Sequence, residues 1–304
     1  MMNEELKKQL RNRRICVVIP TYNNDKTIKT VVEKCLLYCD DVIVVTDGCT
    51  DRTTDILHAI DGITIVSYPQ NRGKGYALKM GFRKALEMGF SYAITLDGDG
   101  QHYPEDIPLF LKANQQHPQS LIIGSRQLEG VDRSKGSSFA NKFSNFWFYV
   151  QTGRALPDTQ TGYRLYPLHR LYGLSLLTSR YEAELELLVF ASWHGVKLVP
   201  IPIQVYYPPR NERVSHFRPG KDFARISVLN TILCFLAVVY GLPLRLWRAL
   251  TTTLRTVYSL LFFLFFTLVV FTPFVWIYTK FGKMTERRRY RLHQLIYHAS
   301  RFVM

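Results

Sequence analysis

Short apolar runs alternate with amphipathic stretches over the first 205 residues. Runs rich in β-branched residues predict strands at Ile15–Ile19, Val42–Thr46, Ile63–Ser67, Tyr92–Leu96, Leu121–Gly124 and Leu198–Val205. Apolar residues at helical spacing predict helices at Lys26–Tyr38 and Tyr76–Glu87. Because strand–helix alternation is typical of parallel βαβ units, the pattern predicts an α/β fold with both faces of its sheet covered.

The last third of the chain has a different pattern. Two apolar runs, Ile226–Leu242 and Thr256–Tyr278, flank a predicted basic loop that contains Arg245, Arg248 and Arg255. The second run has no charge, and its length suffices to cross a hydrocarbon layer of about 30 Å. The first run fits a crossing, an interfacial helix or a buried helix. We expect an even number of crossings, the alternative being a re-entrant second segment bent at Pro273.

Charge separates the same two parts. The formal net charge is +15. Residues 1–204 carry 24 basic and 21 acidic side chains, whereas residues 205–304 carry 15 basic and 3 acidic ones. Basic residues that flank apolar runs favour a membrane surface over nucleic acid as the partner. Five cysteines without a CxxC pair favour reduced thiols and a cytoplasmic location.

These shifts predict five consecutive parts. They are a polar N-terminal segment (1–13), a catalytic domain (14–205), a basic lid or linker (206–225), a membrane-associated helical region (226–279) and a basic tail (280–304).

The strongest chemical signal is the sequence DGDGQH, which follows the fourth predicted strand. Its carboxylates, Asp97 and Asp99, are two residues apart, and glycines allow the chain to turn there. Carboxylates at a strand end can hold a hard divalent cation, which in turn can bridge a diphosphate. The alternative is an ordinary acidic turn.

Polar or glycine-rich loops also follow the first three predicted strands, as PTYNN (20–24), DGCTD (47–51) and NRGKG (71–75). Parallel strands bring such loops to one edge of the sheet, where ligands bind. There Asp47 can accept a hydrogen bond from a nucleobase, and Lys74 suits a phosphate. Neither GxGxxG after the first strand nor GxxxxGK[ST] occurs, which excludes the dinucleotide and P-loop classes.

With these motifs the sequence resembles family 2 glycosyltransferases, which have a Rossmann-like, nucleotide-sugar-binding A-type fold. Within them it is similar to the branch of dolichol-phosphate mannose synthases and polyprenyl-phosphate glycosyltransferases. The matching segments are VVIPTYNN (17–24), VIVVTDGCTDRT (42–53), NRGKGYALKMGF (71–82), TLDGDGQHYPEDI (95–107), GSR (124–126) and PDTQTGYRLYP (157–167). The resemblance covers residues 14–205, and C-terminal membrane helices would follow.

The resemblance implies a role for individual residues. Those implied for the nucleotide sugar are Pro20, Tyr22, Asn24, Asp47, Lys74, Asp97 and Asp99. Those implied for Mg²⁺ or Mn²⁺ are Asp97, Asp99 and Gln101. Those implied for the acceptor are Arg126, Arg133, Ser137 and Gln160, with Arg213, Ser215, His216 and Arg218 in the lid. Those implied for catalysis are Asp158, Arg164 and Glu184.

Simpler interpretations remain open for some of these residues. Glu182, Glu184 and Glu186 fit a solvated helix face, and Arg126 and Arg133 fit surface arginines. The chain also departs from the family pattern. Asn24 stands where glutamate is common, and TDGC stands in place of DDGS. The QxxRW element of processive polysaccharide synthases is missing, which argues against repeated chain extension.

The sequence therefore predicts a membrane-bound, metal-dependent, inverting glycosyltransferase with its catalytic domain on the cytoplasmic face. The expected donor is a nucleotide-diphosphate sugar, and the expected acceptor is a lipid, foremost a polyprenyl phosphate. A hydroxyl-bearing lipid acceptor and a non-catalytic, nucleotide-sugar-binding scaffold are the alternatives. Nucleic acid is not an expected partner, since the catalytic part is nearly balanced in charge. The oligomeric state is left open, a homo-oligomer included.

Overall fold

A computed structural model describes residues 2–126, 135–171, 173, 177–206, 219–281, 290–291, 293–295 and 297–298. The described residues divide into two compact units within Met1–Leu242 and Pro243–Met304.

A seven-stranded mixed sheet forms the centre of the first unit. Its strands are β1 (Ile15–Thr21), β2 (Val42–Asp47), β3 (Ile63–Tyr68), β4 (Tyr92–Thr95), β5 (Leu121–Arg126), β6 (Arg164–Pro167) and β7 (Leu198–Ile203). Their order is β3-β2-β1-β4-β6-β5-β7. Strand β6 runs antiparallel to both of its neighbours, and all other pairs are parallel.

Helices connect these strands and continue beyond them. In the first unit they are α1 (Met2–Asn12), α2 (Ile28–Tyr38), α3 (Thr53–His58), α4 (Lys74–Glu87), α5 (Ile107–Gln116), α6 (Lys135–Thr152), α7 (Leu168–Leu171), α8 (Glu182–Trp193) and α9 (Pro219–Leu236). Helices α10 (Leu242–Phe265) and α11 (Thr272–Phe281) follow. Turns of π-helix at Ala237–Gly241 and Phe266–Phe271 precede them.

Alternating side chains of the central strands enter two apolar layers, as their two-residue period requires. Val17 and Ile19 of β1 pack in one layer with Val32 of α2 and Phe110 of α5. The intervening Val18 meets α4 on the opposite face. A Cβ at Gly81 would lie 2.5 Å from Val18, so glycine lets α4 approach the sheet closely. The predicted α/β fold with two covered faces is confirmed.

Strand β6 is absent from the sequence prediction. Its four residues, Arg-Leu-Tyr-Pro, have neither an apolar run nor regular alternation, and they include an arginine. Pairing with β4 and β5 buries all four residues. Strand β1 extends to Thr21 and therefore includes Pro20, which was expected in the loop after the strand.

The C-terminal helices differ from the prediction. The expected basic loop is helical, because Arg245, Arg248 and Arg255 all lie within α10. Their spacing of three and seven residues places them on one side of the helix. They do not interrupt it, because arginine is a good helix former. Among the described residues, one helix is long and apolar enough to cross a membrane, at Ala224–Phe265. The predicted linker at 206–225 ends within α9, which begins at Pro219.

Candidate active site

Lys74 lies between two carboxylates at the carboxyl edge of the sheet. It is the first residue of α4, and its Nζ lies 2.7 Å from Asp97 Oδ1 and 2.9 Å from Glu184 Oε2. Asp97 follows β4, whereas Glu184 belongs to the first turn of α8. Burial opposes the charge of Lys74, but the two carboxylates outweigh it and raise the pKa of its ammonium. Tertiary packing thus joins three distant segments of the chain through the ammonium group of Lys74.

The two aspartates of DGDGQH occupy different electrostatic environments. Burial acts to raise the pKa of Asp97, but Lys74 outweighs it and the pKa is lowered. Burial and the charge of Asp97 together raise the pKa of Asp99 to about 6. Gly100, at φ +79°, turns the chain so that Gln101 N donates to Asp99 Oδ1 at 3.0 Å. Asp99 therefore carries negative charge that its protein neighbours do not fully compensate.

His102 completes the turn from inside the protein. Burial lowers the pKa of its imidazole to about 4, so the ring is neutral at physiological pH. Its Nδ1 accepts a hydrogen bond from Asp97 N at 3.2 Å, and the ring packs on Tyr163. His102 therefore fixes the backbone that carries Asp97.

Carboxylate oxygens are the ligands that Mg²⁺ and Mn²⁺ prefer. Among the described residues, no group of three His, Cys, Asp or Glu side chains could enclose a metal ion. The pair Asp97–Asp99 nevertheless fits a divalent cation, because the raised pKa of Asp99 reflects a carboxylate that an added positive charge would stabilise. Such a cation would take its remaining ligands from the diphosphate and water.

Gly162 allows the backbone before β6 to pass against this cluster. A Cβ there would lie 2.6 Å from Lys74 Nζ and 3.0 Å from both carboxylate oxygens of Asp97. Thr95 Oγ1 donates to Gly162 O at 2.7 Å, which fixes the approach. The glycine of the TGYR segment is therefore required by space within the site.

Residues expected to bind the nucleotide organise the neighbouring loops. Asp47 is buried, and its carboxylate accepts hydrogen bonds from the backbone N–H groups of Arg72 (2.7 Å) and Gly73 (2.8 Å). Asn24 donates through Nδ2 to Thr21 Oγ1 at 2.9 Å. Asp47 therefore holds the loop that leads into Lys74.

Two other nucleotide candidates differ in exposure. Pro20 is buried within β1, whereas Tyr22 is half-buried in the loop after it.

Asp158 is buried and forms an ion pair with the partly exposed Arg126. Arg126 Nε lies 2.6 Å from Asp158 Oδ2, and its Nη2 lies 2.9 Å from Oδ1. Asn141 Nδ2 and Gln160 N also donate to Oδ1. Asp158 therefore holds Arg126 at a partly exposed position. Both carboxylate oxygens of Asp158 therefore accept hydrogen bonds.

Arg164 is completely buried beneath the same loop. Its guanidinium donates to Thr159 O at 2.8 Å, to Glu184 O at 2.9 Å and to Tyr166 Oη at 3.2 Å. Burial acts to lower the pKa of Arg164, but Tyr166 and Glu184 outweigh the effect of burial and raise this pKa. Arg164 thus ties β6 to α8 and to the Asp158 loop.

Helix α8 buries three glutamates, so the interpretation of Glu182, Glu184 and Glu186 as a solvated face is wrong. Among the described residues, Glu184 Oε1 is buried without a hydrogen-bond partner. Glu186 accepts from Leu177 N (2.5 Å), Thr178 N (2.9 Å) and Thr178 Oγ1 (2.6 Å).

The sequence prediction missed the role of Glu186. The segment that it holds leads to Ser179, whose carbonyl accepts from Tyr76 N at 2.9 Å in the first turn of α4. The only available signal was three glutamates within five residues of an otherwise apolar helix.

Some predicted acceptor residues have a limited description. Arg133, Arg213, Ser215, His216 and Arg218 lie outside the described residues. Ser137 belongs to α6, and Gln160 is exposed beside Asp158. The acceptor roles of all seven, like those of the other site residues, stay predictions.

Comparisons with known proteins agree with this architecture. The model of Glycosyl transferase family 2 matches residues 16–166. The UDP-N-acetylglucosamine–dolichyl-phosphate N-acetylglucosaminyltransferase of Methanococcus voltae is 29% identical, over 64% of this chain and 86% of that protein. The polyprenol monophosphomannose synthase of Mycolicibacterium smegmatis is 30% identical, over 63% of this chain and 77% of that protein.

A solved structure shows the same fold. Glucosyl-3-phosphoglycerate synthase from Mycobacterium tuberculosis, in complex with Mn²⁺, uridine diphosphate and phosphoglyceric acid, superposes with a TM-score of 0.58 at 20% identity. The match covers 77% of this chain and 81% of that one. The chain therefore belongs to glycosyltransferase family 2 and has the A-type fold of that family.

Proposed function

We propose that this protein transfers a hexose, with inversion, from a nucleotide-diphosphate sugar to a polyprenyl phosphate at a membrane. The observation that carries the proposal is the cluster in which Lys74 lies between Asp97 and Glu184, with the uncompensated carboxylate of Asp99 close by. Such a cluster can bind a diphosphate through both a cation and an ammonium.

The donor would lie across the strand ends. Asp97 and Asp99, with Gln101, would hold Mg²⁺ or Mn²⁺, which neutralises the leaving diphosphate. Lys74, which contacts Asp97 and Glu184, would supply a second positive charge. The nucleoside would lie towards Asp47, beside the loop that leads into Lys74.

The type of acceptor is inferred from the contacts of Asp158 and Glu184, the two acidic residues that could act as a general base. A hydroxyl nucleophile needs a general base, but Arg126 occupies both oxygens of Asp158, and Lys74 pairs with Glu184. A phosphate monoester is already anionic at neutral pH, because its second pKa is about 6, so it attacks without a base. This difference favours a phosphate over a hydroxyl-bearing lipid. The names of the two relatives include dolichyl phosphate and polyprenol.

The membrane part of the proposal depends on the C-terminal helices. Ala224–Phe265 has the length and composition of a membrane span, and α10 has no buried residue. We propose that the protein is anchored there with its catalytic domain, residues 14–205, on the cytoplasmic face. The excess of basic residues after position 204 is consistent with this orientation.

A donor screen tests the proposal. The full chain is incubated with individual nucleotide-diphosphate sugars, Mg²⁺ or Mn²⁺, and polyprenyl phosphate in vesicles, and labelled lipid is measured. We expect one or a few donors to give product that EDTA abolishes. We expect D99N to lose activity and D61N, at an exposed carboxylate in a turn, to retain it. Transfer to lipids that lack phosphate, or no product with any donor, would contradict the proposal.

A further inference from the structure

Helix α6 has an outward face that is apolar and aromatic. Phe139, Phe146 and Val150 are 61%, 57% and 49% exposed, and we call them the α6 outer face. Their spacing of seven and four residues places them in one line along a helix. Phe143 stacks on Phe139 at a ring distance of 5.9 Å, and Trp147 meets Phe143 edge-on at 6.1 Å. A soluble helix normally points such residues towards the core.

The inward face of α6 is largely polar instead, with Phe148 as its buried apolar residue. Asn141 and Ser144 are buried, and they contact the loop that carries Asp158. Asn141 Nδ2 donates to Asp158 Oδ1 at 3.4 Å, and the hydroxyls of Ser144 and Thr159 lie 2.7 Å apart. The usual polarity of a surface helix is therefore inverted over this length of α6. The inversion fits a helix whose outer surroundings are less polar than water.

Helix α9 packs against α6 through a polar contact that lies beside the buried Leu229 and Leu233. Gln151 Nε2 donates to Asn230 Oδ1 at 2.9 Å, and both side chains are buried between the two helices. On the exposed side of α9, Val228 and Phe235 are 61% and 67% exposed. This part of α9 belongs to the apolar helix Ala224–Phe265. The α6 outer face thus lies on a neighbour of the candidate membrane helix.

We infer that the catalytic unit itself contacts the lipid bilayer through the α6 outer face, which lies along the membrane surface. Three observations favour a bilayer over a second copy of the chain. The neighbouring α9 is part of the candidate membrane helix. The exposed residues are largely aromatic, as is common at membrane interfaces. Finally, α6 contains two lysines and no acidic residue, which suits anionic lipids.

This contact has a consequence for the site. The opposite face of α6 holds the Asp158 loop, and Asp158 binds Arg126. Helix α6 therefore holds Arg126, the predicted acceptor-binding arginine, at a fixed distance from the bilayer surface. A lipid-borne phosphate would reach that arginine without leaving the membrane, a consequence that rests on the proposed function. The bilayer contact itself does not require it.

Fluorescence quenching tests the contact directly. The full chain is reconstituted into vesicles of phosphatidylcholine and phosphatidylglycerol in a W247F/W276F background, and the emission of Trp147 is obtained by subtracting a matched W147F variant. An interfacial helix lies about 5–10 Å into the bilayer, so brominated acyl chains should lower this emission by about half. Absence of quenching would overturn the inference. If quenching is absent and F139S/F146S/V150S changes the oligomeric state, the α6 outer face binds a second copy of the chain instead.

Activity supplies an independent test. F139S/F146S/V150S should lower kcat/KM for long-chain polyprenyl phosphate in vesicles about 10-fold, with kcat/KM for a short, water-soluble prenyl phosphate unchanged. The matched control, L37S/M88S/L109S, alters exposed apolar residues in α2, at the end of α4 and in α5, and should change neither value. An equal loss with both acceptors would overturn the inference. If the wild type used no prenyl phosphate at all, the proposed function would fail, and quenching would still decide the bilayer contact.

Discussion

Asp99 should destabilise the metal-free protein at neutral pH, although the proposed activity requires it. Burial and Asp97 raise its pKa from the ordinary 3.8 to about 6. A carboxyl group whose pKa is raised by folding favours the folded state most when it is protonated. For Asp99, this contribution to the free energy of unfolding is lost as the pH rises through 6. D99N removes this titration, so its free energy of unfolding should exceed that of the wild type above pH 7.

The magnitude follows from the shift. A change of about two pKa units corresponds to about 3 kcal/mol when the group is fully ionised. Asp99 keeps partial contact with solvent, which reduces the effect, and we expect D99N to gain about 1–3 kcal/mol at pH 8. The gain should disappear near pH 4, where Asp99 is protonated in the wild type.

Chemical denaturation of the full chain in detergent micelles with EDTA provides the measurement, with near-UV circular dichroism as the probe of the catalytic unit. D61N is the matched control and should follow the wild type at every pH. Added Mn²⁺ should stabilise the wild type at pH 8 and leave D99N almost unchanged. The reasoning is refuted if D99N is no more stable than the wild type at pH 8, or if its gain persists at pH 4.

Two further substitutions test the site. Gly162→Ala places a Cβ against Lys74 and should lower kcat/KM by about 10-fold or more, at a stability cost of about 1–3 kcal/mol. Gly220→Ala is the control, because the space around Gly220 is open. Full activity in both variants would contradict the packing argument. Arg126→Ala leaves the buried Asp158 unpaired and should cost about 3–5 kcal/mol in thermal or urea unfolding. The double variant R126A/D158N should recover part of that loss, and equal costs in both would show that the unpaired charge is not responsible.

Local patterns sufficed to predict the six parallel strands of the sheet and the motifs that follow them. Strands β1 to β5 and β7 overlap the predicted runs, because buried parallel strands must be apolar and their loops polar. The same patterns could not predict β6, whose stability comes from its two neighbours. They also left the burial of Glu184 open, because a carboxylate can be buried only where a partner such as Lys74 compensates it.

The sequence by itself determined the fold class, the family and the two carboxylates that would hold a cation, since periodicity and short motifs are properties of neighbouring residues. Only the tertiary structure decided which charges meet. Lys74, Asp97 and Glu184 are far apart in the chain, and so are Arg126 and Asp158. Their pairing depends on which strand ends and helix turns the sheet brings together. For the same physical reason the inverted polarity of α6 became visible only when its neighbours defined an inward and an outward face.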